Sequence, residues 1–121
     1  MRLRLFPTLQ APGEARRGMA PLAGRIDQAS LSDVRAVISE LVTLSVAHGA
    51  SKPIDMCLDL IDGEIEGVVD DHGPGARAIV RARERRDSSL VLRIIDALVD
   101  DWGANPGQTR VWFRMGVRPV A

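Results

Sequence analysis

The sequence has very little cysteine or lysine, no net charge and no long hydrophobic run. Cys57 is the only cysteine, so an internal disulfide is impossible, and its apolar neighbours predict a buried side chain. The formal net charge is zero, so no overall field favours nucleic acid or an anionic membrane. No apolar run approaches the ~20 residues of a membrane span, and prolines interrupt the segment where a signal-peptide core would lie. These absences predict a cytoplasmic protein that binds neither nucleic acid nor membrane.

The remaining composition is that of one globular domain. The chain has 121 residues, of which 45% are hydrophobic and 26% are charged. We therefore expect a single domain over residues 1–121. His48 and His72 are the only histidines, and neither has cysteine or histidine partners at ligand spacing, which argues against a zinc site.

Hydrophobic periodicity predicts alternating strands and helices. The predicted segments are an edge strand over 2–5, helices over 14–26 and 30–48, strands over 53–62 and 64–70, a loop or short helix over 76–89, a helix from about 89 to 102, and a strand over 109–115. This order predicts an α+β fold, in which helices cover one face of a mixed, mostly antiparallel sheet in a two-layer α/β sandwich.

Local signals fix two of these elements. Ser30 and Asp33 resemble a capping box at the start of the longest helix, which Gly49 ends. Asp62-Gly63 between two alternating runs predicts a tight hairpin turn. Trp102 is assigned to the buried stripe of the last helix.

Three places in the sequence have residues of the types that act in catalysis or bind ligands. Glu40 lies on the flank of a helical apolar stripe, where a carboxylate facing a cleft acts as a general base; the alternative is a solvated glutamate. The loop from Asp71 to Gly75 places a carboxylate before two glycines, although an ordinary Gly-Pro turn has the same pattern. An arginine-rich stretch precedes the helix that begins near Ser89, whose N-terminus suits phosphate; a solvated surface loop is the alternative.

Taken together, these segments resemble a known family. The segment 39–49, Asp71-x-Gly73-x-Gly75, and the segment 90–103 resemble, in this order, the ATP-site motifs of the GHKL superfamily. The most similar subgroup is the bacterial anti-sigma-factor serine/threonine kinases, and the resemblance covers residues 12–115.

The resemblance implies a Bergerat, or histidine-kinase-like ATPase, fold with ATP between the helices and the sheet. Glu40 matches the acidic residue that acts as, or orients, the general base, and Asp71 matches the carboxylate that accepts the adenine amino group. Gly73 and Gly75 match the glycines that begin the ATP lid, and Ser89 lies where the phosphates would bind. The implied partners are a sigma factor, an anti-sigma-factor antagonist protein, or both, and a homodimer is possible.

The sequence departs from the family pattern at the metal and phosphate positions. Leu44 occupies the position of the magnesium-binding asparagine, and leucine has no lone pair to offer the metal. The family pattern has glycines whose backbone N–H groups approach the phosphates, and this sequence has Asp87, Ser89 and Val91 at those positions. We therefore expect weak or absent ATP binding, no protein-bound magnesium and little phosphoryl transfer.

Three hypotheses follow from the sequence. The first is a regulatory module that keeps the fold and acts by protein–protein binding. The second is an active ATP-dependent serine/threonine kinase that phosphorylates an anti-sigma-factor antagonist. The third is a structural or dimerising domain whose nucleotide pocket is vestigial.

Overall fold

The computed structural model describes residues 1–85, 90–104 and 107–120. The described strands are β1 (Arg2–Leu5), β2 (Ile54–Ile61), β3 (Glu64–Asp70), β4 (Asp101–Gly103) and β5 (Arg110–Gly116). The described helices are α1 (Ala11–Gly18), α2 (Gln28–Ala47), α3 (Gly75–Glu84) and α4 (Leu90–Leu98), with a short 3-10 helix over Ala20–Gly24.

The strands form one five-stranded sheet in the order β1-β2-β3-β5-β4. Every pair of neighbouring strands in this sheet is antiparallel, so the described strands include no parallel pair of the kind that the predicted mixed sheet allowed. β1 lies at one edge, as predicted. The α+β, two-layer architecture with helices on one face is confirmed.

Side chains alternate between the two faces of the sheet, and this alternation separates the core from solvent. Ile54, Met56 and Leu58 of β2 are buried towards the helices, as are Val111 and Phe113 of β5. Burying each such side chain contributes about 1.5–3 kcal/mol to folding. The opposite face has no helix against it among the described elements.

The hairpin between β2 and β3 is formed as predicted. Asp62 and Gly63 have φ values of 50° and 78°, and Ile61 pairs with Glu64 across the turn. Positive φ at both central residues is the type I′ geometry, which matches the twist of the two strands.

The longest helix begins earlier than predicted. Its N-cap is Asp27, whose Oδ1 accepts a hydrogen bond from the Ser30 backbone N–H at 2.8 Å, so the proposed capping box at Ser30 and Asp33 is wrong. Asp27 was missed because the apolar periodicity begins only at Leu31. The hydrogen bond from Ser30 also lowers the pKa of Asp27.

Three other predictions are corrected, and one alternative that the sequence left open is resolved. The single helix expected over 14–26 is α1 followed by the 3-10 helix, because Pro21 favours a new start rather than continuation. Trp102 lies in β4 and not in α4, which ends at Leu98. Cys57 is half-buried rather than buried, because it faces the helix-free side of the sheet. The loop or short helix expected over 76–89 is helical as far as Glu84.

Among the described helices, none combines the length and hydrophobicity that crossing a membrane requires.

Candidate functional site

The loop between β3 and α3 contains the motif from Asp71 to Gly75. Asp71 is 2% exposed. Its Oδ1 accepts a hydrogen bond from the Gly73 N–H at 2.9 Å, and its Oδ2 accepts one from the Gly75 N–H at 2.8 Å. Each carboxylate oxygen has a further lone pair, so Asp71 retains acceptor capacity after making these two bonds. The carboxylate predicted to bind adenine therefore also holds its own loop in shape.

Gly75 is required by the close approach of this loop to α2. A Cβ at position 75 would overlap Asp71 Oδ2 and lie 2.8 Å from Ser45 Oγ. At Gly73, by contrast, the nearest atom to an added Cβ is the Asp71 backbone oxygen at 3.7 Å, an ordinary contact. Packing therefore explains the glycine at 75 and gives no reason for the glycine at 73.

His72 holds the same loop from the other face of the sheet. It adopts a φ of 55°, an uncommon left-handed conformation for a residue with a side chain. Its backbone N–H donates to Asp70 Oδ1 at 2.9 Å, and its ring Nε2 lies 2.7 Å from Asp55 Oδ2. His72 thereby connects the loop to both strands of the hairpin.

Asp55 and Asp70 are directly paired across β2 and β3, an arrangement in which two carboxylates repel each other. Cations and donors offset the repulsion. Arg4 Nε donates to Asp55 Oδ1 at 2.8 Å, and Thr109 Oγ1 donates to Asp70 Oδ1 at 2.6 Å. The hydrogen bonds from Arg4 and then His72 hold the pKa of Asp55 below its usual value.

Glu40 is half-buried on α2 and faces a groove beside α1. The groove has a volume of about 560 Å³, and its lining includes Arg16, Arg35, Ser39 and Glu40 but neither Asp71 nor its glycines. Arg16 Nη1 donates to Ser39 Oγ at 2.6 Å, and Arg35 Nε donates to the Arg16 backbone oxygen at 3.0 Å. The carboxylate predicted as the general base therefore opens onto an arginine-lined groove.

Leu44 is half-buried one turn further along α2 and packs against the hydrophobic core. Magnesium needs oxygen ligands in near-octahedral geometry, and an aliphatic side chain supplies none. Within residues 1–85, 90–104 and 107–120, no group of three or more histidine, cysteine, aspartate or glutamate side chains is placed to hold a metal ion. Position 44 therefore offers no ligand to a magnesium ion.

Trp102 contacts both α3 and α4, the two helices that follow the loop from Asp71 to Gly75. Its ring is buried, and its Nε1–H donates to Asp96 Oδ1 of α4 at 2.7 Å. The Arg83 guanidinium of α3 lies 4.3 Å from the centroid of the same ring, and Arg83 Nη1 donates to the Trp102 backbone oxygen at 3.4 Å. Both helices of this region are thus attached to β4.

The predicted phosphate contact Ser89 lies outside the described residues, as does Asp87. Val91 is half-buried and packs against the core. The structure brings Asp71 and Gly75 together beside Ser45 of α2, a residue that the sequence interpretation did not assign to the site. A serine within the apolar stripe of α2 is the sequence signal for this missed contact, and in the structure Ser45 is 4% exposed.

Comparison with known proteins agrees with this architecture. No curated protein matches the chain. A family model described as the histidine kinase-like ATPase domain matches residues 7–115, which include every described element from α1 to β4 and most of β5. The chain therefore belongs to the histidine kinase-like ATPase domain family.

Proposed function

We propose that this protein is an anti-sigma-factor-like regulator that acts by binding a protein partner and has little or no kinase activity. Membership of an ATPase-domain family makes it an ATP-binding-type regulatory domain. The observation that supports little or no kinase activity is Leu44. This apolar side chain packs on the core at the position where the resemblance requires a magnesium ligand. Phosphoryl transfer depends on metal-assisted charge stabilisation, so this change disfavours catalysis.

The residues matched to adenine binding are better preserved than the residue matched to magnesium binding. Asp71 is buried, retains acceptor capacity and lies beside Gly75 and Ser45. A carboxylate with this remaining acceptor capacity can accept a hydrogen bond from the amino group of adenine. ATP or ADP would therefore bind weakly, through the base, and without a metal requirement.

Thermal unfolding with ATP or ADP, each with and without magnesium, tests the nucleotide part of the proposal. A ligand at a hundred times its dissociation constant stabilises a fold by about 2.7 kcal/mol. We expect a small shift, or none, that magnesium does not change. A large shift that requires magnesium would refute the proposal and favour the active kinase, for which Glu40→Ala should then abolish transfer without unfolding the domain.

A gain-of-function variant tests the assignment of position 44. Leu44→Asn, combined with Asp87→Gly, Ser89→Gly and Val91→Gly, restores the residue types that the family pattern requires. We expect magnesium-dependent ATP binding to appear in this variant. The control variant keeps the three glycine substitutions and carries Thr43→Asn instead of Leu44→Asn. It therefore has the same amide at the neighbouring, exposed position. Equal gain in both variants, or gain in neither, would contradict the assignment.

The partner is tested by titration calorimetry against purified sigma factors and antagonist proteins from the source cell. We expect one of them to bind at a defined stoichiometry without nucleotide. Light scattering on the free protein separately tests the possible homodimer. Absence of binding to every sigma factor and antagonist would remove the anti-sigma role while leaving the family assignment intact.

A further inference from the structure

A second groove lies between α3 and the chain after β4, apart from Glu40 and Asp71. It has a volume of about 210 Å³. Its lining includes the arginine and glutamate side chains of Arg77, Arg81 and Glu84 and the small apolar side chains of Ala76, Val80 and Ala104.

Two arginines of this groove are exposed and have no ionic partner in the described part of the chain. Arg77 and Arg81 are one helical turn apart, so their side chains lie on the same side of α3. Neither forms an ion pair with a residue that the structure describes. Arg83 of the same helix is different, since its guanidinium stacks on Trp102. Arg83 attaches the helix to the sheet, which leaves Arg77 and Arg81 without a comparable structural role.

The rest of the groove indicates what kind of anion it suits. Ala76 is buried, and Val80 and Ala104 are half-buried, so the base of the groove is apolar beneath a charged rim. An apolar base suits a side chain of a protein segment, and guanidinium groups bind carboxylates through paired hydrogen bonds. No tyrosine, tryptophan or phenylalanine lies in the described lining to stack on a base, which disfavours single-stranded nucleic acid.

We propose that this groove, defined by Arg77, Arg81, Val80 and Ala104, binds an acidic segment of a protein partner that alternates carboxylates with an apolar residue. The arginines receive the carboxylates, and the apolar base receives the side chain between them. This site requires neither nucleotide nor a sigma factor, so it goes beyond the proposed function.

The test uses a fluorescein-labelled peptide of repeated Glu-Leu-Glu units, with fluorescence anisotropy recorded on the full-length protein at low and high salt. We expect saturable binding that weakens with salt, because the rim contacts are exposed and screened. The double variant Arg77→Glu with Arg81→Glu should weaken binding by about tenfold or more, since attraction becomes repulsion at both positions. The matched control is Arg2→Glu with Arg25→Glu, which makes the same change in net charge at two exposed arginines outside this groove.

The control pair should retain affinity within about threefold, and thermal unfolding should show that both variants fold. Equal loss in the two double variants would reduce the effect to net charge and overturn the proposal, as would absence of binding to the wild-type protein. A labelled single-stranded oligonucleotide that binds more tightly than the peptide, with the same dependence on Arg77 and Arg81, would overturn it in favour of nucleic acid.

Discussion

Asp71 and His72 are consecutive residues whose side chains bind on opposite faces of the sheet. Asp71 turns towards the helices and accepts two amide hydrogen bonds within its loop, while His72 contacts Asp55 on the helix-free face. The left-handed φ of His72 accompanies this reversal of direction. The loop between β3 and α3 is thus held from both sides by the chain's own side chains.

The two glycines of this loop should respond differently to alanine. Gly75→Ala places a methyl group against Asp71 Oδ2 and Ser45 Oγ, so we expect a loss of about 1–3 kcal/mol in the free energy of unfolding. Gly73→Ala meets only ordinary contacts, and we expect a change within about 0.5 kcal/mol. Urea denaturation of both variants measures the difference. Equal destabilisation would show that the loop does not pack on α2 in this way.

Removing the Asp71 carboxylate should destabilise the fold even without any ligand. Asp71→Ala leaves the Gly73 and Gly75 amides without their acceptor, and a hydrogen bond to a charged group contributes about 1.5–3 kcal/mol. We expect a total loss of about 3 kcal/mol in urea denaturation. Asp33→Ala, at an exposed position of α2, serves as the control and should be nearly neutral. An unchanged stability in Asp71→Ala would show that these two hydrogen bonds do not stabilise the fold.

Sequence reasoning predicted the architecture well because hydrophobic periodicity records which face of each element is buried. The turn at Asp62-Gly63 was predictable because few other residue pairs adopt positive φ twice. Trp102 was misassigned because its spacing continues the apolar stripe of α4, and only tertiary contacts place it in β4. The bond between His72 and Asp55 joins residues 17 positions apart through a side-chain geometry that no local pattern encodes.

The stability of the protein should fall in acid partly through Asp55. The Arg4 and His72 hydrogen bonds lower its folded-state pKa below the ordinary value of 3.8. Its contribution is therefore fully present above that value and is lost as the pH falls through the lower, folded-state pKa. We expect the stability difference between wild type and Asp55→Asn to shrink as the pH falls below about 4.

Asp59→Asn is the matched control for this pH series. Asp59 lies on the same strand and the same face, but its ion pair is a 3.9 Å contact with the N-terminal amino group. We expect this variant to follow the wild-type curve more closely than Asp55→Asn does. A constant difference between wild type and Asp55→Asn across the acid range would show that Asp55 contributes nothing to the acid sensitivity.

The link between Asp96 and Trp102 should couple α4 to β4 energetically. Asp96→Ala leaves the buried Trp102 Nε1–H without its acceptor, which costs about 1–3 kcal/mol. Trp102→Phe removes the donor and part of the surface that Arg83 contacts. Because the two residues share one hydrogen bond, the double variant should be more stable than the sum of the single losses predicts, by about 1 kcal/mol. Urea denaturation of the four proteins measures this coupling. Additive losses would mean that the hydrogen bond does not stabilise the fold, and that α4 is held against the sheet by the buried contacts of Leu92 and Ile95 instead.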